Sequence, residues 1–299
     1  MEIAGVSIRD TYAEAFDMWA ARAIVTARTD AWAQEAARAM TGFATSVIGC
    51  KVEAGVEAFD GNTPDGRPGV SVLLFAFDRD GIGKRLLERV GQTVLTCPTT
   101  ACFDGLPDAP DRVAVGGQLR FFGDGFQASK VVDGRRYWRV PVMEGEFLVE
   151  ESFGAVPAIG GGNFLIAARH ADAALAAAEA AVAAMRRVPG VILPFPGGIV
   201  RSGSKVGSRR YKAVLASTND AYCPTLRGRP GVHSELPAEA NAVLEIVVNG
   251  LERGAVETAM AAGIRAACLE GVLEISAGNY GGKLGKHLFH LRDLLGGVA

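Results

Sequence analysis

No apolar run in the 299-residue chain approaches the roughly 20 residues that a membrane-spanning helix needs. A surplus of charge is missing too. The 31 Lys and Arg stand against 33 Asp and Glu, a net charge of −2, which argues against a nucleic-acid or anionic-membrane partner. Histidine is scarce, with four residues, and none falls in a metal-binding spacing. His287 and His290 lie three apart in KHLFHL, whose strand-like alternation turns them to opposite faces. The five cysteines are scattered. Cys97 and Cys102, in CPTTAC, lack the second Cys or His cluster of a zinc site, so no metal is expected. An odd cysteine count behind an acidic, mixed N-terminus (MEIAGVSIRD) predicts free thiols and a cytoplasmic setting. What is plentiful is glycine: 38 residues in a chain 49% hydrophobic and 21% charged. That composition is globular, rich in turns, and long enough for two domains.

Along the chain, DTYAEAFDMWA (10–20) begins on an Asp, carries apolar residues at helical spacing, and predicts a short helix. ARAIVTA (21–27) reads as a strand, and TDAWAQEAARAM (29–40) as a helix opened by a Thr-Asp cap. GFATSVIGCKVEAGVEAF (42–59) is β-rich. VSVLLFAF (70–77) reads as a central strand, RDGIGKRLLERVGQ (79–92) as a helix and TVLTC (93–97) as a strand. Over 118–154, GDG and VDG turns between β-rich runs predict hairpins. There Arg135, Arg136 and Arg139 accompany Tyr137 and Trp138, forming either a ligand surface or a solvated face with aromatics packed inward.

The pattern then restarts. IVTARTDAWAQEAA (24–37) overlays LIAARHADAALAAA (165–178) at an offset of 141. LLFAFDRDGIGKRLLERVGQ (73–92) overlays EIVVNGLERGAVETAMAAGI (245–264) at an offset of 172. Each half therefore reads β-α-β…β-α-β. The expected fold is α+β, with two ferredoxin-like (split βαβ) lobes from an internal duplication and added hairpins and loops. The lobes are placed at 1–155 and 156–299, the second with an insertion at about 201–240. The overlay sets Leu73 against Glu245, in VLEIVVNG (243–250). A carboxylate in mid-strand among apolar residues is desolvated, and its pKa rises toward the range of a proton shuttle at pH 7. On a solvated strand face the same Glu would carry no such chemistry.

PFPGGIVRSGSKVGSRRYKAVLASTNDAYCP (194–224) is too polar for core and too patterned for a passive linker. It offers Lys205, Arg209 and Arg210, hydroxyls that include Ser204 and Ser208, and the pair Asn219–Asp220. Such donors suit an anionic or carbonyl-rich ligand, although an ordinary surface loop has a similar composition. SAGNYGGKLG (276–285) lacks the GxxxxGK[ST] of a P-loop, but Asn279, Tyr280 and Lys283 are candidates to line a cleft. GGNF (161–164) is a similar glycine–aromatic run at the junction of the halves.

TPDGRPGV (63–70), FFGDGFQ (121–127), EGEFLVEESFG (144–154), GGNF, PFPGGIV (194–200), SKVGS (204–208), ASTNDAYCPT (216–225), LEIVVNGL (244–251) and ISAGNYGGKLG (275–285) together resemble formylmethanofuran:tetrahydromethanopterin formyltransferase. The resemblance covers essentially the whole chain. It departs in the alanine- and arginine-rich helices and at RGRPGVHSELP (227–237), and the modest acidity is similar to the bacterial, methylotroph-type branch. It implies formyl transfer between a methanofuran-type amine and N5 of tetrahydromethanopterin, with both carriers as substrates and no permanently bound cofactor. It further implies homo-oligomers, dimeric or tetrameric, and a complex with a formylmethanofuran hydrolase-type subunit and associated subunits. The methylotroph direction would run toward the furan carrier. The family's catalytic carboxylate maps onto Glu245.

Bottom-up chemistry points the same way. An amine attacking a formamide needs donors for an oxyanion and a proton shuttle between two nitrogens. Glu245 suits the shuttle, and Ser204, Lys205 and the Asn219 side chain suit the carrier or the oxyanion. A covalent route through Cys223 lacks a neighbouring His motif. A non-catalytic binding or assembly subunit is the alternative, since folds of this kind host many functions. Retention of Glu245 and of the 194–224 stretch argues against it. Hydrolysis by this chain alone lacks a metal or nucleophile signature.

Overall fold

The computed structural model describes residues 1–59 and 61–296. The first half runs β1 (Glu2–Ile3), β2 (Val6–Ile8), β3 (Tyr12–Thr26), α1 (Asp30–Thr41), α2 (Val47–Cys50), β4 (Glu53–Val56), β5 (Gly69–Ala76), α3 (Arg79–Arg89), β6 (Ala101–Asp104), β7 (Asp111–Ala114), α4 (Gly116–Leu119), β8 (Ala128–Val132), β9 (Arg135–Val142) and β10 (Gly145–Glu150). The second runs β11 (Ser152–Ala168), α5 (Ala171–Met185), β12 (Val191–Ile192), β13 (Lys205–Val206), β14 (Ala216–Ser217), β15 (Ala242–Gly250), α6 (Arg253–Ala267), β16 (Val272–Ser276), β17 (His287–His290) and α7 (Leu291–Gly296). Among the described residues no helix is long and apolar enough to cross a membrane.

Strands β6, β3, β5 and β4 lie side by side in that order, all antiparallel, with α1 and α3 against one face. Strands β16, β11, β15 and β12 repeat the arrangement with α5 and α6. The small side chains of alanine-rich α5 bring it close to the sheet, and five of its alanines are buried. Strands β3 and β11 pair with each other over Phe16–Ala21 and Ala155–Gly160, which joins both halves in one 15-stranded sheet. The 155/156 boundary thus falls inside β11. The chain is a mixed α+β protein.

Several local expectations are corrected. Residues 12–20 are not helical but form the start of β3. The alanines, Glu and Met there favour a helix locally, but pairing with β17, β11 and β5 outweighs that propensity. Residues 93–97 are not a strand. The chain continues from α3 through a π-helical turn, Val90–Val94, which buries both valines and lets the Leu95 N–H reach the Val90 carbonyl at 2.9 Å. Of the two expected hairpin turns, VDG forms one at Asp133–Gly134, but the GDG at 123–125 ends a 3₁₀ turn, and the second hairpin reverses at Met143–Glu144. The stretch 42–59 holds a helical turn and only one four-residue strand. Finally, Ile24 and Leu165, matched in the overlay, pair with Ser71 and Glu245 respectively, so the strand register shifts the Glu245 counterpart from Leu73 to Ser71.

Candidate active site

Residue alternation on β15 decides where Glu245 points. Ala242, Leu244, Ile246 and Val248 face α5 and α6, so Val243, Glu245 and Val247 face away from the helices. Glu245 pairs with Leu165 of β11, and Leu165 in turn with Ser276 of β16, which sets the three in a row across the sheet. On its other side the Glu245 backbone exchanges hydrogen bonds with Val200 at 2.8 and 2.9 Å. A cleft of about 130 Å³ opens here, lined by Leu165, Val200–Gly203, Asn219, Tyr222–Thr225 and Glu245 itself. Desolvation pushes the Glu245 carboxyl up to about 7, and no ion pair or side-chain hydrogen bond opposes it among the described residues.

The opening polar stretch largely organises itself. Lys205 and Arg209 both pair with Asp220, Arg209 at 2.9 Å, and the Lys205 hydrogen bond leads in holding the Asp220 carboxyl below the usual range. Ser208 Oγ accepts the backbone N–H groups of Arg210 and Tyr211 at 3.3 and 3.1 Å, and Ser204 is exposed. Asn219 lines the cleft beside Glu245, whereas Ser204, Lys205, Ser208 and Asp220 do not. Cys223 also lines it, with a thiol pushed up first by burial and then by Asp220. Among the described residues the five cysteines are unpaired.

Three residues outside the sequence-derived set anchor the cleft wall at Tyr222 and the neighbouring 278–285 loop. Arg9 reaches Glu235 at 2.8 Å, Glu274 at 2.7 Å and the Tyr222 hydroxyl at 3.4 Å, fastening the 220–235 segment to β16. Asn163 of the GGNF run bonds Gly278 twice, its Oδ1 accepting at 2.7 Å and its Nδ2 donating at 3.1 Å, so the two glycine–aromatic runs meet. Glu14, buried on β3, accepts four backbone N–H groups of the 280–285 loop. Asn279 donates to the Tyr12 carbonyl at 3.2 Å and is thereby a loop anchor. Tyr280 packs on Phe16 with ring centroids 6.0 Å apart; its phenol is pushed up by burial, then by the charges of Glu245 and Glu14. The signal for Glu14 was a lone carboxylate in YAEAF, masked by the helical reading.

On the basic hairpin the arginines are engaged. Arg135 meets Glu150 at 2.5 Å, Arg139 meets Glu146 at 2.6 Å, and Arg120 stacks on Trp138 at 4.8 Å, so the basic hairpin face closes on itself. His287 sits 2.8 Å from Asp17, while the His290 ring packs on Tyr12 at 5.1 Å. In the first half, Ser71 Oγ donates to Glu57 at 2.6 Å, and Glu57 also takes Arg22 and the Gly190 N–H. The carboxylate nearest the first-half counterpart is thus fully partnered.

A family model described as formylmethanofuran-tetrahydromethanopterin formyltransferase matches residues 1–142, and a second, its proximal lobe, matches 145–294. The chain is 57% identical over 301 residues to a formylmethanofuran–tetrahydromethanopterin formyltransferase of Methylococcus capsulatus, covering 99% of this chain and 100% of that one. The solved formylmethanofuran:tetrahydromethanopterin formyltransferase of Methanosarcina barkeri superposes with a TM-score of 0.93 at 52% identity, over 99% of this chain and 100% of that one. A chain of the formyltransferase/hydrolase complex of Methylorubrum extorquens, solved with methylofuran, gives 0.94 at 53%, over 99% and 98%.

Proposed function

The chain belongs to the formylmethanofuran–tetrahydromethanopterin formyltransferase family, an acyltransferase family, and from that premise we infer that Glu245 moves the proton during transfer. The formyl group passes between the amine of a methanofuran-type carrier and N5 of tetrahydromethanopterin, and both carriers are substrates. The attacking nitrogen adds to the formyl carbon, and the C=O π pair moves onto oxygen. That nitrogen must then lose a proton, and the leaving nitrogen must gain one as its C–N bond breaks. Ionised Glu245 takes the first proton and, now neutral, returns it to the leaving nitrogen. No covalent enzyme intermediate is needed. The observation that carries this reading is a cleft carboxyl shifted to about 7 by desolvation alone. Glu245→Gln should lower kcat by about 10²–10⁴-fold without loss of fold. An unchanged kcat would return Glu245 to the status of a strand residue.

We assign Asn219, which lines the cleft, and Tyr280, whose phenol is pushed up first by burial and then by the Glu245 charge, to contact with the carriers or the oxyanion. Ser204, Lys205, Ser208, Asp220 and Asn279 act in carrier binding chiefly by shaping the walls. The antiparallel order fourth–first–third–second strand in each half supports two ferredoxin-like lobes, at 1–155 and 156–299, with the insertion at about 201–240 carrying cleft residues. We further propose that the chain forms homo-oligomers and works in the cytoplasm with a hydrolase-type subunit, as its Methylorubrum relative's assembly suggests. The exposed Phe121, Phe122, Phe126 and Met143, close in sequence around the hairpins, support such an assembly face.

A further inference from the structure

We propose that Glu14 is a positioning residue for the transfer: by binding the backbone of the 280–285 loop it holds Tyr280 at the Glu245 end of the cleft. The proposal rests on the reading of this cleft as the transfer site. Glu14 Oε2 accepts the N–H groups of Tyr280 and Gly282 at 2.7 and 2.9 Å, and Oε1 accepts those of Leu284 and Gly285, both at 2.6 Å. Four charge-assisted bonds to one carboxylate make a closed backbone nest. Burial pushes this carboxyl up, and the four donors more than offset it, so Glu14 stays ionised.

The loop has separate anchors at its start, where Asn163 binds Gly278 and Asn279 binds Tyr12. Those bonds fix residues 278 and 279, and Asn279 Oδ1 accepts the Gly281 N–H at 3.1 Å, but the N–H groups of Tyr280, Gly282, Leu284 and Gly285 go to Glu14. The turn needs left-handed backbone at Gly281 and Gly282, with φ of 71° and 69°, and Glu14 spans it from Tyr280 to Gly285. Two residues along the same strand, Phe16 supports the Tyr280 ring. Strand β3, paired here with β17, is the rigid base. The loop leaves β16 on the Glu245 side of the sheet, because Gly278 is bound by Asn163, which shares a face of β11 with Leu165, the partner of Glu245. Tyr280 follows two residues on, as a donor for the reacting oxygen or for Glu245. Gly285 completes the fit. A Cβ there would come within 2.4 Å of the Ala15 carbonyl oxygen, so alanine must lift the loop away from Glu14.

The test is a set of double-mutant cycles on the full chain, assayed with methanofuran and tetrahydromethanopterin. Glu14→Gln, Gly285→Ala and Tyr280→Phe should each lower kcat by about 10- to 100-fold, with KM for both carriers changed little. Adding either loop variant to Tyr280→Phe should cost no more than about a further twofold. If Glu14→Gln fails to fold, Gly285→Ala tests the same link. Independent, multiplicative losses, or an unaffected Tyr280→Phe enzyme, would overturn the proposal. Failure of the Glu245 reading would show separately, as an active Glu245→Gln enzyme, while the cycles still report on Glu14 and Tyr280.

Discussion

Glu245 and Val200 exchange both backbone hydrogen bonds, at 2.8 and 2.9 Å, and so tie the segment that lines the cleft to the strand that supplies its carboxyl. The same pairing sets the electrostatics. With β11 on one side and residue 200 on the other, Glu245 is interior to the sheet, and the segment beyond Val200 helps to exclude water from its side chain.

The pH dependence has a definite sign. The Glu245 carboxyl is raised from 4.5 to about 7, so the unfolded chain releases this proton first as pH climbs. The contribution to stability is intact below about pH 4.5, declines up to pH 7, and levels off at a deficit of about 3 kcal/mol. Glu245→Gln is therefore expected to be the more stable protein in urea melts at pH 8, by up to that amount, with the gap below about 1 kcal/mol at pH 5. Wild-type kcat/KM should rise through an apparent pKa of about 7, a limb absent from the variant. Equal melting gaps at both pH values would place the carboxyl in water.

Cys223 lines the cleft with a thiol held protonated by burial and by Asp220. Cys223→Ser should keep kcat within about threefold, because direct transfer needs no thiolate. Rapid-quench kinetics with the formylated carrier should show no burst of formyl-enzyme. A burst that disappears in the Ser variant would establish the covalent route.

Arg22→Ala probes the first half. It strips the guanidinium from Glu57, whose side chain is 2% exposed, and leaves a buried carboxylate with only Ser71 and Gly190 as partners. The expected loss is about 3–5 kcal/mol of stability in denaturant titrations. Transfer kinetics well below the melting temperature should stay near wild type. A large kcat loss with normal stability would extend the chemistry to the first half.

Much of the scaffold was legible because local and global preferences agree in it. The Thr29 cap with the run to Thr41, and the alanine run of α5 with its buried alanines, are helices both by propensity and by packing. The 10–20 segment shows the opposite case. Its alanines and Glu14 favour a helix locally, yet pairing across the sheet makes it a strand. That error hid Glu14, since a carboxylate on a helix surface needs no explanation. Lys205 and Asp220 were read as separate ligand contacts, but charges fifteen residues apart were brought together by the loop.

By itself the sequence determined the family, the helix–strand alternation of the halves, and the unusual carboxylate in an apolar strand, because these depend on residue order and on contacts near in the chain. The tertiary structure alone decided that Ser71, not Leu73, answers Glu245, that Arg9 holds the cleft wall at Tyr222 and Glu14 the 280–285 loop, and which residues of the polar stretch face the cleft. The physical reason is that a carboxyl's pKa and a donor's availability are set by what surrounds them. Around Glu245 those neighbours come from strands and loops remote in sequence.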